Sequence, residues 1–384
     1  MISEKKIGDV FKVTSGGTPS RKKQDYFKNG TIPWVKTGDL KGKYANKPKE
    51  YITELALANS SAKIFPKNTV LLAMYGATIG ACSILKIAAA TNQACGAILP
   101  SEKCDHVYLY YYLKSINKEL ISKGVGGAQP NISGGVIKST KIPLPPLDQQ
   151  KKIAAILDAA DSYRQKTKAL IEKYDELTQS LFLDMFGDPI TNPKGWDKVA
   201  LNELCDFKKT SVKPEEIETG DTYIGLECIE KQTGKILEIF IVEAGEIKSN
   251  KFWFDSNYIL YGKLRPYLNK VANPDFEGVC STDIIPIRPI LKNTAKEFII
   301  SLLRGSWFVS FADERCSGAN LPRISPTEVE KYQTINPPIK LQNQFAERVQ
   351  AIEAQKAQAI ASLAQAEDLF NSLLQRAFKG ELTS

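Results

Sequence analysis

Residues 126–157 read GGAQPNISGGVIKSTKIPLPPLDQQKKIAAIL, and residues 317–352 read SGANLPRISPTEVEKYQTINPPIKLQNQFAERVQAI. Pro130, Ile132 and Ser133 of the first stretch correspond to Pro322, Ile324 and Ser325 of the second, 192 residues further on. Each stretch runs into a long apolar-and-charged pattern, closing at LFLDMFGDP (residues 181–189) and LLQRAFKGEL (residues 373–382). Phe186 and Phe378 again differ by 192, half of the 384-residue chain. Two copies are too few for a solenoid. The segments between the copies diverge strongly. Two similar connectors and two dissimilar heads suit a device that measures two different things at a fixed separation.

The connectors predict long helices. In the first, Ile153, Ile156, Ala160, Tyr163, Thr167, Leu170, Tyr174, Leu177 and Leu181 recur in steps of three and four. In the second, Phe345, Val349, Ile352, Lys356, Ala359, Leu363, Ala366, Phe370, Leu373 and Ala377 do the same. Such seams bury against a partner helix, and a polar seam residue such as Thr167 or Lys356 sets register. Each helix follows a proline pair, Pro145-Pro146 or Pro337-Pro338, and meets a stop at Gly187 with Pro189 or at Gly380. About 36 residues at 1.5 Å each predict about 54 Å, longer than one turn of B-DNA. The seams alone leave open a dimerisation coiled coil between two chains. Two seams in one chain, separated by one folded head, favour an intrachain antiparallel pair with a pseudo-two-fold internal repeat. The resulting division is a first head at 1–146, a helix at 147–187, a second head at 188–338 and a helix at 339–384. The predicted class is α+β, with two mixed α/β heads separated by the two long helices. "KKIGDVFKVTSG" and "KVALNELCDFKKT" open the heads with Ile7 and Leu201 in corresponding places, so both look like copies of one fold.

A net charge of +8 is compatible with a polyanionic partner without requiring one. No apolar run approaches the ~20 residues of a membrane span, and MISEKKIGDVFK has no signal-peptide core. Seven scattered cysteines without a CxxC pair argue against a disulfide framework or a zinc site. The cytoplasm is the expected compartment. Catalysis has little to work with. His106 is the one histidine, placed at a helix start, so Ser–His–Asp, Cys–His and zinc chemistry would all need it. No GxxxxGK[ST] loop is present. The glycine-rich SKGVGGAQP is followed by a proline-rich linker instead of a dinucleotide helix. Asn336-Pro337-Pro338-Ile339 resembles the Asn-Pro-Pro-aromatic loop of amino-methyltransferases, whose ring stacks on a flipped base, but its fourth residue is aliphatic. A proline pair stands at the same place in the other copy, so the loop is read as helix entry. The expectation is a binding protein with no catalytic residues, no metal and no cofactor of its own.

Residues suited to nucleic acid cluster near Gly-rich turns in both heads. VTSGGTPSRKK offers Ser15, Gly16, Gly17 and Thr18, followed by Arg21, Lys22 and Lys23. The glycines would let backbone approach a phosphate, and the hydroxyls and cations would bind it. IPWVKTGDLKGK sets Trp34 beside Lys36, with Lys41 and Lys43 beyond. MYGATIG and TNQACG supply Tyr75, Thr78, Asn92 and Gln93, the amides being natural partners of adenine. The second head offers Lys208 and Lys209, then Lys263, Arg265, Tyr267 and Lys270 in YGKLRPYLNK. Ser281 and Thr282 follow in CSTDIIP, and Arg323 lies in the repeated stretch itself. Each basic cluster taken alone equally suits a solvated surface loop.

TSGGTPSRKKQDYFKNGTIPWVKTGDL, TVLLAMYGATIGACSI with AATNQACGAI, YILYGKLRPYLNKVANPDFEGVCSTDIIPIRP and IPLPPLDQQKKIAAIL together resemble the DNA-specificity subunit of type I restriction-modification systems. The resemblance covers essentially the whole chain. It implies that the heads are target-recognition domains, each reading half of a bipartite double-stranded DNA site, with the helices as the spacer. It implies two methyltransferase (modification) subunits as partners that methylate adenine, with restriction/translocase subunits as further partners for cleavage. S-adenosylmethionine, ATP and Mg²⁺ would then belong to those partners.

Overall fold

The pattern after each proline pair folds as one uninterrupted helix, Leu147–Phe186 of 40 residues and Ile339–Lys379 of 41 residues. At 1.5 Å per residue each is about 60 Å long, somewhat more than the seam alone indicated. The helices start directly after Pro146 and Pro338, where a missing N–H costs nothing. They end where Gly187 and Gly380 take left-handed φ of 77° and 83°. The computed structural model describes residues 3–124, 131–243 and 245–382, so Gly126 to Pro130 of the repeated stretch lie outside the described residues. The chain forms two compact units, residues 1–167 with 362–384, and residues 168–361.

In the first unit, one sheet runs in the order Val13–Ser15, Cys95–Ile98, Val70–Ala73, Cys82–Leu85, Tyr44–Ala45. A second runs Glu50–Ile52, Ile32–Val35, Ala89–Thr91, Ile64–Phe65, with Ile32–Val35 and Ala89–Thr91 parallel. The second unit repeats this plan. Cys205–Asp206, Ile284–Pro289, Ile259–Gly262 and Val271–Ala272 form one sheet. Phe240–Ile241, Thr222–Ile224, Gly278–Cys280 and Lys251–Phe254 form the other, with the same parallel pair in the middle and Ser211–Val212 added at the edge. Ile7 and Leu201 each open a one-turn helix and are fully buried. Their N–H groups donate to Thr140 O (2.8 Å) and Tyr332 O (2.9 Å), at corresponding ends of the two heads.

The cores explain why each helix belongs to both units. In the first, Ile153 and Leu157 from the start of one helix meet Phe370, Leu374 and Ala377 from the end of the other, under Tyr108, Leu109 and Tyr111 of the head. In the second, Phe182 and Phe186 meet Phe345 and Val349 under Phe298, Ile299 and Leu302. Start therefore lies against end in each unit, an antiparallel pairing. One buried glutamine per unit locks head to helix. Gln150 Oε1 accepts from Asp105 N (2.9 Å) and its Nε2 donates to Pro145 O (2.8 Å). Gln342 Oε1 accepts from Ala295 N (3.0 Å) and Thr294 Oγ1 (2.7 Å), and its Nε2 donates to Pro337 O (2.8 Å). These two residues are again 192 apart, in a shared Pro-Pro-x-x-x-Gln.

The second predicted seam is inside throughout, and Lys356 forms an ion pair with Asp175 of the first helix. The first seam needs correction. Ile153, Ala160, Thr167, Tyr174 and Leu181 face inward, but Ile156, Tyr163, Leu170 and Leu177 are 38, 55, 43 and 48% exposed. The row on the other side, Leu157, Arg164, Ile171, Thr178 and Met185, is inside instead. Arg164 fits there because it pairs with buried Asp161 and lies 4.3 Å over the Phe370 ring. Sequence hydrophobicity could not anticipate a guanidinium displacing tyrosine and leucine. Lys296–Arg304 and Ser306–Glu314 are two helices of nine residues each.

Candidate nucleic-acid interface

In the first head the parallel strand pair brings two distant loops together. Gly17 N donates to Thr91 O (2.9 Å) and Asn92 N to Val35 O (3.1 Å). Thr18 Oγ1 donates to Gln93 Oε1. The hairpin tip carrying Tyr75 and Thr78 joins them through Met74 N to Ala94 O (2.8 Å). Ser15, Thr18, Tyr75, Thr78, Asn92 and Gln93 thus belong to one partly exposed cluster. Gly16 and Gly17 are buried, which corrects their expected approach to phosphate. A Cβ on Gly16 would stand 2.0 Å from Thr91 O, and one on Gly17 2.2 Å from Ser61 Oγ. Their smallness serves loop-to-loop packing. Trp34 also needs correction, because it is 1% exposed and its Nε1 donates to Gly17 O at 3.2 Å. It props the loop from beneath and offers no face to a base.

The cations of this head divide. Arg21 pairs with Glu50 (2.6 Å) while its guanidinium lies 4.6 Å from the Phe27 ring centre and 5.1 Å from Trp34. Lys36 pairs with the same Glu50. Burial pushes that carboxyl up, but the two cations outweigh it and hold its pKa below the ordinary value. Lys22 is exposed, and Lys23 reaches Tyr26 Oη at 3.0 Å. Lys41 is exposed, whereas Lys43 is tied to Asp158 of the first long helix and fixes the head instead of facing outward. His106 stands in the first turn of the His106–Ser115 helix, which Asp105 caps through Val107 N and Tyr108 N (both 2.9 Å). Burial lowers its pKa despite Asp105 nearby.

In the second head the equivalent loops meet in the same way. Ser281 N donates to Ile224 O (2.9 Å), and Lys263 N to Asp283 O (3.0 Å). The repeated stretch closes over them, with Arg265 N donating to Pro322 O (2.7 Å) and Ile324 N to Lys263 O (3.1 Å). Arg323 grips Asp283 with both prongs, Nε to Oδ1 at 2.9 Å and Nη2 to Oδ2 at 3.0 Å. That hydrogen bonding depresses the Asp283 carboxyl and raises the Arg323 guanidinium. Lys263, Arg265, Ser281, Thr282 and Arg323 therefore share one cluster. Lys208 is exposed on the adjoining loop, and Lys209 lies 5.2 Å over Phe252. Lys270 is a correction, since its ammonium donates to Leu226 O (2.6 Å) and fastens a neighbouring turn. Tyr267 lines a separate cavity of about 460 Å³ with Gln232, Asn269, Arg304 and Trp307. Sequence reading missed Glu50, whose contacts arise only across the sheet. It also missed Gln150 and Gln342, which the repeated Pro-Pro-x-x-x-Gln did signal. Asn336-Pro337-Pro338 enters the second long helix, with Pro338 O accepting from Leu341 N (2.9 Å).

The family described as type I restriction modification DNA specificity domain matches residues 2–174 and again residues 193–365. The MjaIX type I restriction enzyme specificity subunit of Methanocaldococcus jannaschii is 28% identical over 374 residues, covering 91% of this chain and 86% of that protein. The crystal structure of the S subunit from M. genitalium superposes with a TM-score of 0.60 at 16% identity, covering 98% of this chain and 96% of that one. A chain from work on complex assembly and conformational transition of the type I R-M system gives 0.59 at 17% identity, covering 99% and 98%. Two matched copies over most of the length, on a fold shared with solved S subunits, show that the chain belongs to the non-catalytic DNA-specificity subunits of type I restriction-modification systems.

Proposed function

We propose that the two heads, residues 1–146 and 188–338, are target-recognition domains that each read one half of a bipartite double-stranded DNA site. Residues 147–187 and 339–384 form the spacer that sets the unread gap. The observation that carries this reading is one strand order built twice, crowned by loop clusters of different chemistry. The first cluster is rich in amides and hydroxyls, the second in cations. Amides suit adenine edges, and Arg or Lys suit guanine or phosphate.

The proposed partners are two modification subunits that methylate adenine, with restriction/translocase subunits adding cleavage. S-adenosylmethionine, ATP and Mg²⁺ would act on those subunits. The exposed row Ile156, Tyr163, Leu170 and Leu177, spaced by seven on one helix, supports docking of a partner helix. None of the described helices is long and apolar enough to cross a membrane. The proposed compartment is the cytoplasm. A long-read methylome with and without the gene tests the reading. Loss of one bipartite N6-methyladenine motif on deletion is the expected result. Loss of an undivided motif, or of none in a host with an active modification subunit, contradicts it.

A further inference from the structure

Superposing the two strand ladders puts Arg265 in the place of Gly76. Ala73 pairs with Cys95 in the first head, and Gly262 with Ile284 in the second. Met74 O accepts from Ile132 N (2.7 Å), as Lys263 O accepts from Ile324 N (3.1 Å). Three residues past Ala73 stands Gly76 with φ 86°, and three past Gly262 stands Arg265 with φ 51°. The backbone needs a left-handed residue here, and glycine is its cheapest occupant. The second head keeps an arginine there, immediately before Pro266, which further restricts it. An arginine at φ 51° and ψ 66° costs stability.

Among the described residues nothing repays that cost. The backbone N–H of Arg265 bonds to Pro322 O, a contact any residue would make. Among the described residues its guanidinium has no hydrogen bond, ion pair or ring contact. Lys263 stands on the same turn, and its charge in turn reaches Lys209. Asp283, whose Oδ1 also lies 3.9 Å from Lys263 Nζ, is held at both oxygens by Arg323. Burial, and then the charge of Lys263, lowers the Lys209 pKa against a smaller opposing effect of Glu330. A polyanion would supply a counter-charge to the unpaired Arg265 guanidinium, independent of sequence.

We propose that Arg265 is a phosphate-gripping residue of the second head, retained in a strained backbone position because its free guanidinium meets the DNA backbone beside the bases that head reads. This rests on the DNA-reading function proposed above. It separates Arg265 from Arg323, whose charge is internally engaged.

The test compares the purified full chain with R265G and R265K on a cognate and a scrambled duplex across a salt series. R265G is expected to melt at or above the wild-type temperature, because glycine relieves the strain. It should bind both duplexes roughly tenfold more weakly, as loss of one charge-assisted contact predicts. The slope of log affinity against log salt should fall by about one, with R265K retaining it. Wild-type affinity and slope in R265G would overturn the proposal. So would an unchanged slope with an altered preference at one base pair, which would make Arg265 a base reader. A wild-type chain that bound neither duplex would overturn the DNA-reading function as well, so the two failures are distinguishable.

Discussion

The two heads share a scaffold and differ where the scaffold is free. Ile224, Cys280 and Gly262 occupy the ladder positions of Val35, Thr91 and Ala73, all buried. One to three residues beyond, the pairs become Asn92 and Ser281, Gln93 and Thr282, Gly76 and Arg265. Inside the sheets, packing at crystal-like density constrains each residue. At the loop tips the backbone bonds are already satisfied between loops, so side chains change without disturbing the fold. Conserved ladders and divergent tips are what two readers of different sequences, mounted on one frame, require.

The largest expected effect is a swap of residues 1–146 for the first head of a relative, which should replace one half of the methylated motif and leave the other intact. A methylome in which both halves changed would end the view of independent heads.

Core truncations come next. Phe186 is fully buried, with ring centres 5.0 Å from Phe298 and 5.2 Å from Phe345. Its repeat partner Phe378 is only half-buried, 5.2 Å from both Tyr108 and Tyr112. Phe186→Ala is expected to cost about 3–5 kcal/mol, and Phe378→Ala clearly less, as chemical denaturation of each variant would report. Equal costs would show that the two junctions are energetically alike despite their different aromatics.

The glutamine locks should behave alike. Gln150→Leu and Gln342→Leu each strand a buried N–H and a buried carbonyl, for roughly 2–4 kcal/mol apiece. A large difference between them, read from thermal melts, would break the symmetry argued from their shared geometry.

The smallest effect is acidic. Asp283 is depressed below its ordinary value by Arg323. The stability it lends is therefore fully present above its unfolded pKa and is lost as pH falls through the lower folded value. The gap in melting temperature between wild type and Asp283→Asn should be constant near neutrality and shrink below about pH 4. A gap that instead widened in acid would place the lowered carboxyl elsewhere.

Much of this was legible in the amino-acid order, and the failures are instructive. Helix length, stops and the second seam followed from periodicity, proline and glycine, because those signals act within a few residues. The first seam was half misread. Tyr163 and Leu170 look like core residues, yet Arg164 and Asp161 hold the inner face through each other and Phe370. The candidate loop residues gather into one cluster per head, but Trp34, Gly16, Gly17 and Lys270 are supports within or beneath them.

By itself the sequence determined that the chain is a twofold repeat, with two long helices and two diverged heads, since repetition, periodicity and turn chemistry are local properties written along one dimension. Which cations are already paired, as Arg21, Lys36 and Arg323 are, and which stay unpaired among the described residues, as Arg265 does, is fixed only by the tertiary structure. Their partners Glu50 and Asp283 lie 14 to 40 residues away. Charge pairing depends on ångström distances that appear only once the strands have found their register.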